Sequence, residues 1–167
     1  MSIALIILAA GKGTRMQSDL PKVLHEIASA PMLVHAIMAG DSLDPERCII
    51  IAGHGADAVA AVAQNHNADA EIIIQSEQLG TGHAVEQARD ALAGFTGTVI
   101  VLYGDTPLIQ AKTLASLSES ISDSAICVLG FEARDPGRYG RLITDDDNLK
   151  RIVEFKDASD AEKLVTL

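Results

Sequence analysis

Four apolar runs rich in β-branched residues constrain this chain more than any other feature: Ile3 to Leu8 (IALIIL), Arg47 to Ala52 (RCIIIA), Ala70 to Gln75 (AEIIIQ) and Thr98 to Tyr103 (TVIVLY). Each has too little polar alternation for a half-exposed strand, so each reads as a strand buried on both faces. Helix-length segments separate them: Pro31 to Ala39, with a proline suited to the first turn, then Ala56 to Gln64 and Thr81 to Leu92. The order β-α-β-α-β-α-β predicts an α/β, Rossmann-like fold, a mainly parallel, doubly wound sheet with right-handed crossovers and helices on both faces. Beyond Ser120, SAICVLGFEA reads as a further strand and GRLITDDDNLKRIVEF as a hairpin turning at Asp145 to Asn148.

Such a core needs small aliphatic side chains more than large rings. The composition supplies them, with 48% apolar residues but only 3% aromatic, and 167 residues fit one domain. A formal charge of −10 argues against a nucleic-acid polymer or an anionic membrane as partner. A small anion is still admitted, because Lys12, Arg15 and Lys22 make the amino-terminal end locally basic. Cys48 and Cys127 sit inside apolar runs without metal-ligand spacing, so both read as buried free thiols and favour a reducing compartment. The first apolar run is too short to span a bilayer and lacks the flanks of a secretory signal, which points to a cytoplasmic protein.

In parallel sheets, ligands bind outside the carboxyl ends of the strands. The segments that fall there are AAGKGTRM, GHGAD, SEQLGTGHA and GDTPL. In the first, the glycines flanking Lys12 let backbone N–H groups turn towards an anion, while Lys12 and Arg15 add full charge. A phosphate chain fits this chemistry. A Walker A loop would place glycine where Ile6 stands and Ser or Thr where Gly13 stands; a dinucleotide fingerprint would place Gly or Ala where Met16 stands. Neither matches. Taken alone, the loop also admits a plain glycine-rich turn with its charges in water. DDDN invites a calcium reading, but an EF-hand begun at Asp145 would need Gly at Lys150 and Glu at Lys156. A polar hairpin tip is the better reading. His25, His35, His54 and His66 show no metal-ligand spacing, and His83, beside a helix start, reads as structural.

LAAGKGTRM, PKVL, EQLGTGHA, LYGDTPLI, GRYGRL and IVEFKDA, in this order over nearly the whole chain, resemble the bacterial N-acetylglucosamine-1-phosphate uridyltransferases, a branch of the sugar-phosphate nucleotidyltransferases. The resemblance implies magnesium-dependent attack of the sugar phosphate on the α-phosphorus of UTP, with UDP-N-acetylglucosamine and pyrophosphate as products. UDP-N-acetylglucosamine is a precursor for peptidoglycan and lipopolysaccharide. It also implies that Leu8, Ala9, Ala10 and Gly11 line the nucleoside and phosphate site, that Arg15 grips the triphosphate and that Lys22 reaches the reacting phosphates. Gln75, Gln78, Gly80 and Thr81 would read the uracil edge, whose acceptors and N–H donor they can match. Asp105 would hold Mg²⁺, with Tyr103 and Gly104 in the ligand site, while Gly140 and Glu154 would meet the sugar. Alternatives are a nucleotide-binding piece without transfer activity, or a nucleotidyltransferase for another sugar phosphate.

The family's sugar-contacting asparagine motif and second metal-binding asparagine lie beyond the position matching Leu167. The expectation is therefore a transferase domain incomplete over residues 1–167. Members with two activities continue into a left-handed β-helix that transfers acetyl groups and assembles trimers. A trimer is expected only of a chain carrying that part.

Overall fold

A computed structural model describes residues 2–13, 16–121, 124–146 and 148–167. The chain divides into two compact units, residues 1–123 and 124–167.

The first unit is built on four parallel strands, β1 (Ile3–Ala9), β4 (Arg47–Ala52), β5 (Glu71–Ile74) and β6 (Thr98–Tyr103), in the order β5-β4-β1-β6. A short antiparallel pair, β2 (Glu26–Ile27) and β3 (Ala30–Pro31), precedes α1 (Met32–Asp41). Helices α2 (Ala56–His66) and α3 (Thr81–Glu86) follow β4 and β5, and α4 (Ala111–Glu119) follows β6. The parallel α/β layout thus matches the pattern read from the apolar runs.

Side-chain alternation along β1 divides the core into two layers. Leu5 and Ile7 join Ile50 of β4 and Leu102 of β6 beneath Leu33 and Ile37 of α1, Val59 and Ala63 of α2 and Leu114 of α4. Ile6, with Ile49 and Ile51 of β4, faces the opposite way, towards Ala84 of α3 and Ala88 in the turn after it. This is a doubly wound sheet. The close contact of α1 depends on Gly40, where any Cβ would run into Leu5.

Not every strand is buried on both faces. Ile74 of edge strand β5 and Val99, Val101 and Tyr103 of edge strand β6 are exposed, because the layer containing α3 covers mainly β1 and β4. The third helix is also shorter than the sequence suggests: regular α-helix ends at Glu86, and hydrogen-bonded turns continue to Phe95.

In the second unit, β7 (Arg141–Asp145) and β8 (Asn148–Val153) form the expected antiparallel hairpin, with a register shift between Ile143 and Thr144. Helix α5 (Asp160–Lys163) starts with a capping box in which Ser159 and Glu162 exchange bonds, and the bonds from Ser159 hold the Glu162 carboxyl below its usual range. Arg141 is buried. Its guanidinium donates to the carbonyls of Gly137, Tyr139 and Lys163 and lies 5.7 Å from the Phe155 ring. The expected strand over 124–133 does not form: its residues carry no strand ladder, and Ile126, Leu129 and Phe131 are exposed. The segment is apolar enough for a strand but pairs with none. For the same reason Cys127 is only half-buried.

Cys48 is buried in β4, and burial, assisted by the nearby Asp41 carboxylate, pushes its thiol up from 9.0 to about 11. A thiol held protonated in the fold but free to ionise in the unfolded chain makes stability fall as pH rises from about 9 towards 11. At pH 8, alkylation of the folded chain is expected to label Cys127 and spare Cys48 until denaturant is added. Equal labelling of both in the native state would show that β4 opens on the timescale of the reaction.

Candidate functional site

Parallel strands deliver all their carboxyl ends to one edge, and the loops there enclose a cleft of about 320 Å³ within the first unit. Leu8, Ala10 and Gly11 come from the end of β1 and its loop, and Lys22 and Val23 from the following 3-10 turn. Gln75, Gln78, Gly80, Thr81 and Ala84 come from the β5–α3 connection. Tyr103 and Asp105 come from the end of β6. A volume near 320 Å³ lies at the lower end of the range for small-ligand sites.

On the cleft wall, Lys22 Nζ donates to Asp105 Oδ2 at 2.5 Å. The two side chains are 33% and 31% exposed, so water screens the pair and its worth in stability is about 0–1 kcal/mol. Its importance is positional. It places a cation and a carboxylate, brought from 83 residues apart, on the wall of one cleft.

Two glycines make that placement possible. Gly55 caps α2 with φ +66°, and a Cβ there would strike the Pro21 ring; Gly13 has φ +59°, and a Cβ there would come within 2.7 Å of Lys22 Cβ. Only glycine meets both demands, the left-handed backbone and the close approach. Pro21 therefore packs tightly against the loop after β4 and aims Lys22 from a fixed base.

The opposite wall is polar in a different way. Gln75 is 4% exposed, its N–H extends the ladder to the Ala52 carbonyl at 2.8 Å, and its side-chain Nε2 lies 2.9 Å from His83 Nδ1 and 3.4 Å from the Gly80 carbonyl. Gln78 Nε2 donates to the Ala10 carbonyl at 2.7 Å, fastening the β5–α3 loop to the loop after β1.

Most residues expected at the nucleotide site meet in this cleft, but the placement is uneven. Ala9 turns its side chain into the core, and Gly104 is packed beneath the cleft, its N–H bonded to the Leu8 carbonyl at 2.9 Å; neither lines the cleft. Arg15 lies outside the described residues. Gly140 and Glu154 belong to the second unit. There Glu154 borders a separate cleft of about 380 Å³ with Arg138, Phe155 and Lys156, and Gly140 lies against Ile152 and Val153. Val23 and Ala84 line the first cleft without having been singled out, since nothing in their type distinguishes them from core residues.

The chemistry of Asp105 suits one ligand of a hard divalent cation. Only Oδ2 is engaged by a described residue, the side chain reaches water, and no group of three or more His, Cys, Asp or Glu is assembled among the described residues. A cation held here would complete its shell with phosphate oxygens and water, as Mg²⁺ commonly does.

Residues 5–162 match the model of the MobA-like NTP transferase domain. The bifunctional protein GlmU of Ruegeria sp. (strain TM1040) is 61% identical over 166 residues, covering 99% of this chain and 37% of that protein. The GlmU of Roseobacter denitrificans is 58% identical over 167 residues, again covering 37% of its length. The chain thus spans little more than a third of these curated relatives. Among solved structures, HddC from Yersinia pseudotuberculosis superposes with a TM-score of 0.74 at 31% identity, covering 92% of this chain and 69% of that one. HddC has also been solved complexed with GMP-PN.

Gly55→Ala is expected to cost about 1–3 kcal/mol in stability, through left-handed strain and displacement of Pro21. Urea denaturation measures this, and an unchanged midpoint would show that the Pro21 loop yields freely.

Proposed function

From a chain that belongs to the MobA-like NTP transferase family, we propose the nucleotide-binding part of a uridyltransferase that joins UTP to N-acetylglucosamine 1-phosphate, giving UDP-N-acetylglucosamine and pyrophosphate. The observation that carries this reading is the cleft itself: a cation–carboxylate pair on one wall faces a base-sized wall of amide and backbone groups on the other. The 61% identity to a GlmU supports the choice of substrates.

The reaction brings two anions together, so the protein's task is to neutralise charge and align attacking and leaving oxygens. Lys22 donates to the reacting phosphates from its fixed base beside Pro21. Arg15 serves the triphosphate. Leu8, Ala10 and Gly11 supply the floor under nucleoside and phosphates, with Ala9 anchoring that stretch in the core, while Gln75, Gln78, Gly80 and Thr81 meet the uracil edge. Tyr103 borders the nucleotide with Gly104 packed behind it, and Gly140 and Glu154, both of the second unit, serve the sugar. Asp105 holds a divalent cation, which we take to be Mg²⁺. When bound, that ion supplies charge neutralisation for the triphosphate. A site built to satisfy one base rejects another by leaving its polar groups unpaired.

Because every residue lining the cleft lies in the first unit, a nucleotide-binding role without transfer is a second reading. Pyrophosphate release on addition of N-acetylglucosamine 1-phosphate separates the two.

Calorimetric titration with UTP in the presence of Mg²⁺, with CTP and ATP as controls, tests the shared core of both. Selective UTP binding is expected, and Lys22→Ala is expected to weaken it about tenfold or more, the worth of one charge-assisted hydrogen bond. Asp105→Ala should remove the dependence of binding on Mg²⁺. Equal affinity for all three nucleotides, or none in a folded sample, would end the uracil reading.

A further inference from the structure

His83 reads as a bland structural residue in the sequence, yet its ring stands between two glutamine amides. Nδ1 lies 2.9 Å from Gln75 Nε2, and Nε2 lies 3.2 Å from Gln87 Nε2, which also donates to the His83 carbonyl at 3.0 Å. An imidazole that is neutral can accept at one nitrogen only. The two glutamines therefore compete for its tautomer.

If Nε2 accepted from Gln87, Nδ1–H would point at Gln75 and turn that amide round, breaking its 3.4 Å contact with the Gly80 carbonyl. If Nδ1 accepts from Gln75, the loss falls on Gln87. Burial decides between them. Gln75, at 4% exposure, suffers the larger penalty from a lost partner, whereas Gln87 is only half-buried. The Nε2–H tautomer wins. Both hydrogens of the Gln75 amide are then spent inside the protein, one on His83 and one on Gly80, and the only polar atom this side chain has left for the cleft is its carbonyl oxygen.

We propose that His83 is a positioning residue for base selection: it fixes the Gln75 amide with its oxygen towards the cleft, where it accepts from a base N–H and repels a base nitrogen that carries a lone pair. This rests on the uracil reading of the cleft. Uracil offers an N–H at ring position 3 and cytosine offers a lone pair there, so the fixed amide favours UTP over CTP. An unfixed amide can rotate and accommodate either base.

The test titrates UTP and CTP, each with Mg²⁺, into the full chain and into His83→Phe and His83→Asn, with thermal melting as a check on folding. His83→Phe removes the acceptor and is expected to lower the UTP-over-CTP preference about tenfold, the effect of one misdirected hydrogen bond. His83→Asn places an amide oxygen near the position of Nδ1 and is expected to retain the preference. A folded His83→Phe with undiminished preference overturns the positioning role while leaving the uracil reading intact. A wild-type chain without preference overturns both. Should His83→Phe fail to fold, long-range ¹H–¹⁵N spectra of the wild-type chain decide instead, without any nucleotide: a protonated Nε2 and bare Nδ1 support the assignment, and a protonated Nδ1 overturns it.

Discussion

Everything in the first unit depends on β1 being hydrogen-bonded in parallel on both sides, to β4 along Ala4 to Ala9 and to β6 along Ile3 to Leu8. A strand so enclosed has no face or edge left for water, and apart from the half-buried Leu8 its residues are buried. Parallel pairing also sends every connection back across a face of the sheet, which is why helices cover both sides, and brings all four strand ends to one edge. The cleft is a by-product of that geometry. Its walls are the loops that must turn there anyway.

How much of this was legible in the letters depended on the range of the interaction involved. The central strands β1 and β4 could be read because burial on both faces writes itself into consecutive residues, as in Ile49, Ile50 and Ile51. The exposed faces of β5 and β6 could not, since an edge strand and a central one carry the same kinds of residue until their neighbours are known. The segment over 124–133 is the sharpest failure: it has the composition of a strand and lacks a strand partner among the described residues. Helix α4 was not among the expected elements, although its apolar residues share one face and Leu114 is buried in the core.

The candidate site divides along similar lines. Glycine-rich loops after strands announce themselves, but the meeting of Lys22 with Asp105 across 83 residues does not follow from either residue's surroundings in the chain, and it was anticipated only through resemblance to a family. Val23 and Ala84 carry no signal at all, because an apolar side chain at a cleft wall looks like one in the core. The surroundings of His83 were hidden for another reason. Gln87, four residues on, meets the ring as soon as the helical turn forms, but Gln75 does so only once the β5–α3 loop brings it back.

The Lys22–Asp105 pair also acts as a threshold for what the cleft retains. Each charge already has a counter-charge at 2.5 Å, so an arriving anion gains Lys22 only by out-competing a carboxylate, and doing so strands Asp105 unless a cation comes with it. A lone phosphate satisfies one partner and abandons the other. A polyphosphate carrying its own divalent ion satisfies both in a single exchange. On the proposed reading, the resting ion pair thus gives anions that arrive with a cation an advantage no larger than the pair's own worth, about 0–1 kcal/mol, before any group on the opposite wall has met the base.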